Sequence, residues 1–199
     1  MGSFGKFLIV LGIVVVGVLG FAFTQRNGII ASDEAARAAW GNVESAYQRR
    51  LDLIPNLVST VEGATKYEGT TLVKITEARN TLLALADRQK SALAEKDTSK
   101  MDSVEGAILP AVRAYTGLAA EAYPKLSATD QFTTLQAELA GTENRINIAR
   151  RDYNESVAAL NTRIRTWGWL PFASAAAQER KPFEAQPGAS EAPKVKFGQ

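Results

Sequence analysis

Residues 7–23 (FLIVLGIVVVGVLGFAF) carry no charge and no strongly polar side chain, whereas beyond Ser32 the apolar residues return every third or fourth position. The first pattern is a membrane span and the second is the buried stripe of water-soluble helices. At about 1.5 Å per residue the run is ~26 Å long, near the short end of what crosses a ~30 Å hydrocarbon core. Lys6 and Arg26 bracket it, and their long stems reach the interfaces. Gly20 and Ala22 offer the alternative of a cleaved signal peptide, but the run continues through Phe21 and Phe23 and a single Lys precedes it, which favours an uncleaved anchor.

The pattern predicts four helices. The first starts at Ser32 or Asp33 as cap and follows Ala36, Trp40, Val43, Tyr47, Leu51, Ile54, Val58 and Val61 to a stop at Gly69. Pro55 interrupts it, and the unbroken apolar phase on both sides favours one kinked helix over two. The second covers residues 70–90, with Leu72, Ile75, Ala78, Leu82 and Leu85 inward; the polar stretch 89–101 reads as a loop. The third runs from Asp102 to Tyr123, weakened by Pro110 and Gly117 and stopped by Pro124. The fourth has the cleanest 3-4 spacing, Phe132, Leu135, Leu139, Thr142, Ile146, Ala149, Tyr153, Ser156, Leu160 and Arg163, over about 35 to 40 residues. Long first and last helices around shorter ones predict an all-α fold: an N-terminal transmembrane helix followed by an antiparallel four-helix bundle. The divisions are a short tail (1–6), the anchor (7–23), the bundle (32–166), and an aromatic segment with a flexible tail (167–199). The cluster of Trp167, Trp169, Leu170, Pro171 and Phe172 is expected near the bilayer surface.

Composition removes most chemistry. The 199 residues contain no Cys and no His, which excludes disulfides, thiolate metal sites, histidine-based zinc sites and Ser-His-Asp triads. A net charge of +2, with bases spread among acids, gives nucleic-acid binding no support. Glu138, Glu143 and Asp152 share the long helix, but without a Glu-x-x-His element they make a poor di-metal site. No cofactor, metal or catalytic residue is expected.

Several blocks resemble the LemA family: residues 49–58 (RRLDLIPNLV), 121–126 (EAYPKL), 132–139 (FTTLQAEL), 181–185 (KPFEA) and, most specific, 141–154 (GTENRINIARRDYN). The resemblance spans roughly residues 39–185; residues 167–180 depart from the Phe- and Gly-rich pattern of the family. It implies a helical bundle on an N-terminal anchor in the bacterial cytoplasmic membrane, and it supplies no reaction. Some members are encoded near membrane metalloproteases or TPM-domain proteins, which connects the family with the envelope by association only.

Physical readings attach to these blocks. Arg49, Arg50 and Asp52 precede Pro55, whose ring frees the Leu51 carbonyl; an arginine or Asn56 is placed to satisfy it. Glu143, Asn144 and Arg145 supply ion pairs and polar neighbours along the fourth helix. Asn147, Asn154 and Asn161 repeat every seven residues, a spacing that sets register when such residues lie in a seam. All eleven are structural or partner-contact candidates. The expected function is a membrane-anchored, non-enzymatic interaction or scaffold protein whose partners are the bilayer, through residues 7–23, and either itself or an envelope protein. Its alternatives are an accessory subunit of a membrane protease or transport assembly, and an uncharacterised enzyme. Flanking basic residues are nearly balanced, with a slight lean towards an extracytoplasmic bundle.

Overall fold

The computed structural model describes residues 2–68, 73–170 and 175–184. Its described elements are all helical: α1 (Ser3–Glu68), α2 (Val73–Ala94), α3 (Thr98–Ala122), the single turn α4 (Pro124–Ser127) and α5 (Asp130–Trp167).

Three boundaries differ from expectation. The apolar run and the first soluble helix are one continuous α1, with Ser32 in its interior. No proline lies between Thr24 and Ser32, and both hydroxyls donate back into the helix, Thr24 to the Gly20 carbonyl and Ser32 to that of Gly28, each at 3.0 Å. Ser32 therefore caps nothing. The expected loop at 89–101 shrinks to residues 95–97, because Ala92 and Leu93 are buried and extend α2 by another turn. Lys96, at φ 54°, turns the chain in the left-handed region, and the Asp97 carboxylate then accepts from the Lys100 N–H at 3.1 Å, capping α3. At the other end of α3 the expected break is present: Pro124 opens α4. Pro55 lies inside α1 and Pro110 inside α3 without ending either. Leu72, Gly69, Pro171 and Phe172 lie outside the described residues.

The chain divides into two compact units, Met1–Val43 with Ile148–Pro182 and Glu44–Asn147 with Phe183–Gln199. In the first, Ile29, Ala36, Trp40 and Val43 of α1 are buried, as are Ala149, Tyr153, Val157 and Leu160 of α5. The Trp40 and Tyr153 rings meet edge to face, with centroids 5.1 Å apart. Val157, which with Ile164 widens the stripe expected from the sequence, is buried and Ile164 half-buried, whereas Ser156 is half-buried and Arg163 exposed. In the second unit, Leu53, Ile54, Leu57, Val58 and Val61 pack with Ile75, Leu82, Ile108, Tyr115, Phe132 and Leu139. The expected inward faces of Ile75 and Leu82 are found there, with Ala78 and Leu85 packed on the margin. Along α1, by contrast, Phe4, Phe7 and nearly every large apolar side chain to Phe23 are exposed. Such a face on a helix this long is compatible with a bilayer crossing.

Candidate functional site

The eleven singled-out residues fall into three environments. The second unit contains a buried polar cluster. Arg50, 1% exposed, reaches Glu105 of α3, where its Nη1 donates to both carboxylate oxygens at 2.8 and 2.7 Å. Gln89 of α2 donates to Glu105 Oε2 at 3.2 Å, and the Arg50 guanidinium lies 5.9 Å from the centre of the Tyr47 ring. Three helices are thus tied by one anion. Two atoms of the cluster, Arg50 Nη2 and Gln89 Oε1, have no hydrogen-bond partner. The neighbouring Arg49 pairs with Glu138 of α5 at 2.8 Å, but both side chains are about half exposed, so water screens a bond of nearly the same length. The two arginines are thereby committed to carboxylates of other helices, which corrects the expectation that they serve the Leu51 carbonyl.

Glu105 and Gln89 were missed in the sequence, yet a signal existed. Met101, Glu105, Ile108, Val112, Tyr115 and Ala119 follow a 4-3-4-3-4 spacing, so Glu105 occupies an apolar phase. Arg50 sits likewise between Tyr47 and Ile54, and Gln89 between Ala86 and Leu93. A charged or amide residue in phase with a core stripe on each of three helices identifies partners for one another.

Asp52, Pro55 and Asn56 are exposed on α1. Gln48 donates to Asp52 at 2.7 Å, and Asn56 lines a groove of about 900 Å³ with Thr60, Lys125, Asp130, Gln131 and Glu138. On α5, Asn144, Arg145 and Asn147 are exposed, while half-buried Glu143 meets exposed Arg113 at 3.4 Å. These residues form a polar surface.

The first unit holds a clasp that the heptad of asparagines did not foretell. Asn147 is exposed, so the three form no continuous buried seam. Asn161 instead grips the backbone of the returning segment: its Nδ2 donates to the Arg180 carbonyl at 2.8 Å and its Oδ1 accepts from the Arg180 N–H at 3.0 Å. The Arg180 side chain reaches buried Asp33 at 2.9 Å, which also pairs with Arg37 at 2.9 Å. Arg165 holds Glu179 by two bonds of 2.9 Å, and this guanidinium keeps the Glu179 carboxyl below its ordinary pKa. The Tyr153 hydroxyl, raised in pKa by burial, donates to the Lys181 carbonyl at 3.4 Å. In the second unit Phe183 is buried, and the Glu184 N–H donates to Asp102 at 2.8 Å. Residues 179–184, within the tail expected to be flexible, are therefore docked. A side-chain amide offering donor and acceptor to the N–H and C=O of one residue recognises backbone, so the composition of the tail gave little sign of it.

Among the described residues no group of three or more His, Cys, Asp or Glu side chains is placed to hold a metal ion. The buried anions are occupied, Glu105 by Arg50 and Gln89 and Asp33 by Arg37 and Arg180. The arrangement chemically favours holding helices and a chain segment in place.

The family model described as "LemA family" matches residues 39–197. A curated relative, Protein LemA of Metamycoplasma hominis, is 26% identical over 162 residues, covering 81% of this chain and 69% of that protein.

Proposed function

We propose that this chain, which belongs to the LemA family, is a single-pass, membrane-anchored interaction protein without enzymatic activity, its helical part held outside the cytoplasm. The observation that carries the reading is the exposed apolar face of α1 up to Phe23, continuous in one helix with residues that build a packed core. A helix of this kind transmits position: what is bound by the helical part is held at the bilayer. In the bacterial cytoplasmic membrane the helical part is an antiparallel bundle. Within the first unit this is supported by pairings that run in opposite directions along α1 and α5, Phe21 with Trp167 and Trp40 with Tyr153. Within the second it is supported by Arg49 with Glu138 and Thr60 with Gln131. The partner surface is the exposed polar face of Asn56, Asn144, Arg145 and Asn147, where no side chain is committed to the core.

The side of the membrane is tested with Ser91→Cys, an exposed position on α2 in a chain free of cysteine. A membrane-impermeant maleimide should label it in cells whose outer membrane, where they have one, is permeabilised; labelling only after lysis places the bundle in the cytoplasm. Mild-detergent extraction followed by mass determination then separates self-association from a stoichiometric complex with a membrane protease or transporter. Stoichiometric metal binding or turnover by the purified chain would refute the non-enzymatic reading.

A further inference from the structure

The last turn of the apolar run is in contact with the end of α5. Phe21 and Trp167 meet edge to face at 5.3 Å, and Gly28, seven residues on and so on the same face of α1, lies under Arg163. A Cβ at Gly28 would stand 2.5 Å from Arg163 Nη1, so the guanidinium lies directly against α1 at this point. These two contacts fix depths. If the apolar run ends at Phe23, Trp167 contacts a residue about 3 Å inside that limit and Arg163 one about 7.5 Å beyond it, at 1.5 Å per residue. Subtracting a ~30 Å core from a bilayer of about 40–45 Å leaves a headgroup layer of roughly 5–8 Å on each side. Trp167 thus falls at the hydrocarbon boundary and Arg163 in the phosphate layer, where indole and guanidinium are respectively favoured.

Two further residues are close to these in the chain. Trp169 is 75% exposed, and its indole N–H is already bonded to the Thr166 carbonyl at 2.9 Å, leaving the ring surface free for lipid. Arg26 is two residues before Gly28, about 200° around α1 at 100° per residue, and adds positive charge on the other side. Among the described residues neither Arg26 nor Arg163 has a carboxylate partner, whereas Arg165 is neutralised by Glu179.

We propose that Arg26, Arg163, Trp167 and Trp169 form an interfacial collar that binds the headgroups of anionic phospholipids, a second membrane contact that holds the end of α5 against the bilayer. The proposal rests on the reading of residues 7–23 as a membrane span. An arginine at an anionic surface contributes about 1 kcal/mol, which at 1.4 kcal/mol per tenfold is about fivefold each and roughly 30-fold for the two.

The test uses the full chain in vesicles of phosphatidylcholine with a minor fraction of phosphatidylglycerol, one lipid or the other being brominated. Tryptophan quenching reports which lipid sits at the collar, with buried Trp40 as a constant background. Brominated phosphatidylglycerol should quench several-fold more efficiently per lipid than brominated phosphatidylcholine. Arg26→Gln with Arg163→Gln should abolish that preference, while Lys125→Gln with Arg145→Gln, an equal loss of charge elsewhere, should retain it. Equal quenching by the two lipids in the unaltered chain overturns the collar, as does a preference that survives the first double variant or disappears in the second. Displacement of the preference by inorganic phosphate at unchanged ionic strength also overturns it, since the site would then be one for free anions. A chain that fails to float with vesicles overturns the anchor itself, a result distinct from equal quenching in a chain that floats.

Discussion

Glu105→Gln should be among the most damaging single substitutions in the second unit. The change keeps the shape of the side chain and removes its charge, leaving the Arg50 cation 1% exposed and without its counter-ion. Breaking a buried ion pair from one side costs about 3–5 kcal/mol, against about 5–15 kcal/mol for the stability of a whole domain. Glu138→Gln is the internal control. Its bond to Arg49 is 2.8 Å against 2.7 Å for the buried pair, but the side chains are 41% and 51% exposed, so the expected loss is about 0.2–1 kcal/mol. Replacing the whole cluster by Arg50→Met, Glu105→Leu and Gln89→Leu removes charge and amide together and should restore most of the stability, because desolvation no longer has to be offset. Leaving Gln89 in place would strand its amide at about 1–3 kcal/mol. Urea unfolding of the full chain in a non-ionic detergent, followed by circular dichroism, measures all three without screening the pairs. Raising salt to 1 M shortens the screening length to about 3 Å and should erase the Glu138 effect while leaving that of Glu105. A loss at Glu105 below about 1 kcal/mol, or equal to that at Glu138, would refute the argument from burial.

Leu139→Ala and Ile146→Ala, at 6% and 0% exposure, should each cost about 2–5 kcal/mol in the same melts. Pro55→Ala, at an exposed position inside α1, should preserve helicity and hold or raise the melting temperature, since alanine restores a backbone donor and is up to about 3 kcal/mol better in a helix interior. Burial lifts the Tyr115 phenol to about 12, with the Glu62 carboxylate adding to the effect. Because the folded state holds the neutral form, its contribution is complete below the ordinary value of 10 and falls away between pH 10 and 12, by at most about 3 kcal/mol. Tyr115→Phe, which removes a hydroxyl with no hydrogen-bond partner, should flatten that part of the stability–pH profile relative to the parent and change little at neutral pH.

The sequence by itself determined the helical class, the exposed apolar run and the 38-residue α5, because each depends on a period or a run that neighbouring residues set locally. The family was legible for a related reason: its blocks are short and contiguous. The continuity of α1 through Ser32 was less legible, since a serine followed by acidic residues resembles a cap whether or not the helix has already begun. The register of α1 was legible except at one position: Ala36, Trp40, Val43, Tyr47, Ile54, Val58 and Val61 are buried as assigned, and Arg50 takes the buried place given to Leu51. Tertiary structure alone decided the rest. Whether an arginine in a core stripe is buried depends on an anion from another helix, here 55 residues away in Glu105. Whether a polar tail is docked depends on Asn161 meeting the Arg180 peptide 19 residues on. The depth of Arg163 depends on where α5 meets α1, here opposite Gly28. Periodicity is a property of one segment; pairing between charges, amides and backbone is a property of two, and only the fold brings the second into reach.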